Sequence, residues 1–127
     1  MAAKKKLVLI VEDEKPMARL LVESFKEAGL HTVVATQGDT GLAQALSERP
    51  DLILLDIVMP GMDGLTMLKK LRQDTWGKTV PVILLTNFGD TDKIIAATES
   101  GAYGYLLKAN WEIKDIVAKV REALHLS

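Results

Sequence analysis

Five short apolar runs punctuate the chain, and an amphipathic segment follows each one. The runs are Leu7–Val11, His31–Ala35, 52–55, 81–85 (with Val80 before it) and 103–107. Apolar runs of this length, bounded by turn signals, suit strands covered on both faces of a parallel sheet. After the first run, Met17, Leu20, Leu21, Ser24, Phe25 and Ala28 recur at helical spacing. Asp13 or Glu14 can cap that helix, Pro16 is tolerated in its first turn, and Gly29 stops it. Residues 38–47 predict a short helix with Leu42, Ala45 and Leu46 inward, ended by Pro50. A third helix from about residue 64 to 73 buries Leu65, Leu68 and Leu71. A fourth, capped by Asp90 or Thr91 and ended by Gly101, carries Ile94, Ile95, Ala97 and Thr98. The last sets Ile113, Ile116, Val117, Val120 and Leu124 on one face and a solvated charged face opposite.

Strict alternation of strand and helix predicts an α/β fold with a doubly wound, five-stranded parallel sheet and helices on both faces. The runs at 7–11, 52–55 and 81–85 are the most apolar and belong in the centre. The runs at 31–35 and 103–107 belong at the edges. Right-handed crossovers then give strand order 2-1-3-4-5, a flavodoxin-like three-layer sandwich.

Composition adds bounds rather than direction. The 127 residues suffice for one domain, with 48% hydrophobic and 26% charged positions. A formal charge of −1 provides no basic field for nucleic acid, and the absence of cysteine removes disulfides and thiolate metal sites. Lys4-Lys5-Lys6 before Leu7–Val11 resembles a signal peptide only superficially, because Glu12-Asp13-Glu14 interrupts the apolar stretch after five residues. No stretch is long enough to span a membrane, and a chain without cysteine is compatible with a reducing cytosol, so a cytoplasmic setting is expected. Residues 1–6 are expected to be a flexible lead-in to a domain running from 7 to 127.

The chemistry collects at strand ends. The first strand runs into Glu12-Asp13-Glu14, the third into Asp56, the fourth into Thr86-Asn87 and the fifth into Lys108. Parallel strands bring their carboxyl ends to one edge, and strands 1 and 3 flank the switch point where a crevice opens. Asp56 alone could be no more than a strand-ending turn residue. Facing Asp13, with Glu12 or Glu14 nearby, it joins a crowd of carboxylates that must share protons or hold a cation. Hard oxygen donors without thiolate or a well-placed histidine suit Mg²⁺, since His31 lies at the far end of its strand and His125 near the C-terminus. Lys108 offers one flexible positive charge, for an ion pair with Asp56 or for a phosphoryl group.

Glu12-Asp13, Asp56 within Leu-Leu-Asp-Ile-Val-Met-Pro-Gly-Met-Asp-Gly, Thr86 and Lys108 together resemble the receiver domain of bacterial response regulators, over about residues 7 to 125. The resemblance implies that Asp56 accepts a phosphoryl group from a sensor histidine kinase or a histidine phosphotransfer protein. It implies Mg²⁺ on Asp13, Asp56 and the backbone carbonyl of Val58, with Glu12 acting through water. Lys108 would hold the phosphoryl oxygens. Thr86 would swing toward them, and Tyr105 would follow into the vacated space. The surface of helix 4, strand 5 and helix 5 would then change toward a downstream protein or effector domain. The only turnover implied is that of the domain's own acyl phosphate.

The chain departs from the family pattern in places. Ala109 follows Lys108 where the family usually has a cis proline. Asn87 after the strand-4 Thr86, Phe88 beyond it and Val58 two past Asp56 could either shield an acyl phosphate from water or obstruct phosphotransfer. Slow hydrolysis is the expectation, with Phe88 packing on a neighbouring helix as the alternative. Ala102-Tyr103-Gly104 lacks the acid that many dimerising receivers carry there, so Tyr103, Tyr105 and Trp111 could instead give a more apolar face for a partner, or Trp111 could pack under helix 5. Trp76 is placed to seat the loop before strand 4. Other readings fit less well. A phosphohydrolase would want an acid at Val58, and a flavin or nucleotide carrier would want a phosphate loop where Glu12-Asp13-Glu14 stands. A degenerate receiver, binding without phosphorylation, is opposed by Asp13, Asp56, Thr86 and Lys108 all being present.

Overall fold

The computed structural model describes residues 5–86, 91–107 and 112–126. Five strands, β1 (Leu7–Val11), β2 (His31–Ala35), β3 (Leu52–Asp56), β4 (Val82–Thr86) and β5 (Gly104–Leu107), form one parallel sheet in the order 2-1-3-4-5. Five helices alternate with them: α1 (Lys15–Glu27), α2 (Gly38–Glu48), α3 (Gly64–Gln73), α4 (Thr91–Glu99) and α5 (Ile113–Ala123). A short 3-10 turn, Trp76–Lys78, precedes β4, and half-buried Trp76 packs there against the core, seating the loop as expected.

Side-chain alternation along the strands splits the core in two. Leu9, Val11, Ile53, Leu55, Val82 and Leu84 face α2, α3 and α4, meeting Ala45, Met67, Leu68, Leu71 and Ala97. Val8, Ile10, Leu52, Leu54, Ile83 and Leu85 face α1 and α5, meeting Leu21, Phe25, Ile116 and Val120. β3 is buried along its whole length, whereas β2 is largely half-exposed, as an edge strand should be. Among the described residues, no helix is long and apolar enough to cross a membrane.

Several local expectations shift. β4 begins at Val82, not residue 81, because Pro81 has no N–H and gives the ladder only its carbonyl, which accepts from Ile53 N at 3.0 Å. β5 begins at Gly104, one residue later than expected. Leu20, Leu46 and Ile95 are 46%, 40% and 53% exposed, and Thr98 also points outward. Gly41 and Met67 take inward places the apolar pattern had not assigned. Glu14 occupies the N-cap of α1 in extended backbone, but its side chain makes no capping bond. Asp63 does cap, its Oδ1 accepting from Thr66 N at 2.8 Å. Asp90 and residues 1–4 of the expected lead-in lie outside the described residues.

Candidate functional site

β1 and β3 lie side by side and end together, with Val11 in register with Leu55. One residue further, each strand delivers a carboxylate. Glu12 is fully buried and Asp56 is 2% exposed, while Asp13 is half-buried at the mouth. One oxygen from each of Glu12, Asp13 and Asp56 falls within 4.8 Å of the others. Three acids this close repel one another unless protons or a cation intervene. The all-oxygen donor set fits a hard divalent cation, so the residues pass the test that the expected metal sets. Glu14 is exposed and outside the cluster, and its amide donates to Glu12 Oε2 at 3.3 Å.

Backbone contacts hold this arrangement. Glu12 N donates to Ala35 O at 3.0 Å, and Ile57 N to Leu85 O at 3.1 Å, so both acids leave strands still stitched to their neighbours. Val58 N donates to Asp56 Oδ1 at 3.2 Å, which bends the following loop back over the aspartate. The Val58 side chain is 46% exposed beside it. The loop returns at Gly64, whose amide donates to Ile57 O at 2.8 Å. A Cβ at Gly64 would stand 2.2 Å from Asp56 O and 2.8 Å from Ile57 Cα, so this approach needs glycine. In the sequence Gly64 closes the motif around Asp56 and starts the third helix, and neither role announces this close approach.

Thr86 ends β4 on the sheet face that α4 covers, in register with Leu107. It is 1% exposed, and its hydroxyl meets no hydrogen-bond partner among the described residues. Tyr105 lies on β5 opposite Leu84, on the same face and nearer the start of the strand. Its ring is 47% exposed. Lys108, Ala109, Asn87, Phe88 and Trp111 lie outside the described residues. The structure therefore brings together Glu12, Asp13 and Asp56, with Val58 adjoining, and leaves Tyr105 on the flank.

Together these features define a doubly wound α/β domain with an acidic cleft at the carboxyl edge of its sheet. The family model described as response regulator receiver domain matches residues 8–121, and this chain belongs to that family. It is 36% identical over 117 residues to the DNA-binding response regulator MtrA of Mycobacterium tuberculosis H37Rv, covering 92% of this chain and 50% of that protein. The chain thus spans about half the length of the curated relatives it matches. Among solved structures, a protein assigned as a response regulator from Chloroflexus aurantiacus superposes with a TM-score of 0.88 at 35% identity, covering 96% of this chain and 99% of that one. The receiver domain of the Francisella response regulator 1452 superposes with a TM-score of 0.86 at 30% identity, covering 95% and 98%. The acidic cluster is consistent with the phospho-accepting site of such a domain.

Proposed function

We propose that Asp56 is the phosphoacceptor of a two-component signalling switch, supplied by a histidine kinase or a histidine phosphotransfer protein. The observation that carries this reading is the cluster of Glu12, Asp13 and Asp56 at the carboxyl edge of the sheet, where β4 ends in Thr86, buried and with no hydroxyl partner among the described residues. In the reaction, an Asp56 carboxylate oxygen attacks phosphorus, the O–P bond forms as the donor's N–P bond breaks, and the imidazole leaves with a proton. Asp13, Asp56 and the Val58 carbonyl would hold Mg²⁺, with Glu12 acting through water. A cation bound there neutralises charge on the transferring oxygens.

Lys108 would hold a phosphoryl oxygen, its single positive charge suiting that role. The Thr86 hydroxyl has a donor to offer and no partner to give up among the described residues, so turning toward a new anionic group costs it little. Tyr105, on the α4 face of β5, would then turn inward toward the space that Thr86 leaves. Exposed Ile95, Tyr103 and Tyr105 form the surface that changes, and a downstream protein or effector domain reads it. The chain turns over no substrate except its own acyl phosphate. A cytoplasmic site of action matches such donors.

Intact-mass spectrometry after incubation with acetyl phosphate tests this reading. One phosphoryl group is expected to add with Mg²⁺, and none with EDTA or in Asp56→Asn. Addition that persists in Asp56→Asn would sink the assignment.

A further inference from the structure

Arg72, in the last turn of α3, donates to four backbone carbonyls in other parts of the chain. Nε reaches Ser100 O at 3.0 Å and Nη2 reaches Gly101 O at 3.0 Å. Nη1 reaches Gly77 O at 2.7 Å and Val80 O at 2.8 Å. Ser100 and Gly101 close α4. Gly101, at φ 84°, donates its amide to Thr98 O at 3.0 Å, and Ala102 N donates to Ala97 O at 3.1 Å, the paired bonds of a glycine-terminated helix. α4 has no basic residue in its own last turn, so α3 lends the positive charge that a helix C-terminus favours.

The rest of α4 is lightly held. Ala97 is its one buried side chain among the described residues, with Ile94 half-buried and Ile95 outward. By contrast, α1 buries Leu21 and Phe25, α3 buries Met67, Leu68 and Leu71, and α5 buries Ile116 and Val120. A helix with one small apolar anchor is held chiefly by its fastened end.

We infer that Arg72 is a hinge pin: it fastens the α4–β5 corner to α3 and to the loop before β4, so that rearrangement of α4 is confined to its N-terminal part. That free part follows the carboxyl end of β4, where Thr86 lies. The pin is a property of the resting fold, and only its use in switching rests on the proposed function. Desolvation lowers the guanidinium pKa, yet arginine keeps its charge throughout the accessible pH range, so the pin does not titrate.

Amide hydrogen exchange on the full chain, followed by NMR for wild type, Arg72→Gln and Arg72→Lys, tests the inference. In Arg72→Gln the amides of Gly101, Ala102 and Tyr103 should exchange at least tenfold faster than in wild type, with Leu54 and Leu84 unchanged. Arg72→Lys, with fewer donors in a different geometry, should accelerate the same three amides by a smaller factor, and it carries the test if the glutamine variant does not fold. Unchanged rates at the corner, or equal acceleration throughout the sheet, would overturn the pin. With Mg²⁺ and saturating beryllium fluoride, wild-type amides of Ile94 and Ile95 should shift while Gly101 and Ala102 keep their resting rates. Equal changes at both ends of α4 would also overturn it. If neither beryllium fluoride nor acetyl phosphate has any effect, the proposed function fails, and the resting comparison still decides the pin.

Discussion

At the scale of single residues, the acidic cluster sets up an opposition between stability and function. Asp13 is the least buried of the three acids, and its charge adds to the repulsion on Glu12 and Asp56. Asp13→Asn should therefore stabilise the metal-free protein by about 1 kcal/mol, a rise in Tm of about 4 °C. The same change should weaken Mg²⁺ binding at least about tenfold, roughly 1.4 kcal/mol. Calorimetric melting with and without Mg²⁺ checks both. Val58 stands half-exposed next to Asp56 and offers water no hydrogen bond. Replacing it with asparagine should speed loss of the acyl phosphate by roughly tenfold, about 1.4 kcal/mol in barrier. Decay of the phosphorylated mass after donor removal measures this, and an unchanged lifetime would show that Val58 shields nothing.

At the scale of elements, helix ends offer cleaner tests than helix middles. Asp63→Ala removes the capping bond to Thr66 N and should cost about 1 kcal/mol in urea unfolding. Arg49 closes α2 at φ 47° with its side chain exposed, so Arg49→Gly should gain about 0.5–1 kcal/mol. These ends also mark what the sequence could and could not reveal. Elements and strand order were legible because each strand is a compact apolar run and each helix keeps its spacing. Asp56 and its neighbours were legible because parallel strands must end on one edge. The outward turn of Leu20, Leu46 and Ile95 was not, since an apolar residue at the margin of a helical stripe has no sign of its own. Arg72 was not legible either. Its partners are backbone carbonyls up to 29 residues away, and a carbonyl leaves no trace in residue identity.

At the scale of the molecule, the sheet isolates two cores that share only the strands between them. The acidic cleft opens at one edge of that partition, and its charge is a load on the whole fold. A divalent cation that binds the folded form alone must stabilise the entire domain by mass action. At a hundred times its dissociation constant, Mg²⁺ should add about 2.7 kcal/mol. Thermal melts in MgCl₂ against NaCl of equal ionic strength test this. An identical shift in both salts would reduce the effect to screening.

Gly64 carries a different kind of consequence. Truncation to alanine is customarily a subtraction, a way to ask what a side chain was contributing. Here alanine is an addition, a methyl group thrust to 2.2 Å from the Asp56 carbonyl oxygen. Relieving that overlap would push the Asp56 peptide aside by about 1 Å, judged from ordinary contact distances. A survey of this site by removal of functional groups would pass over the position, because what matters there is a clearance.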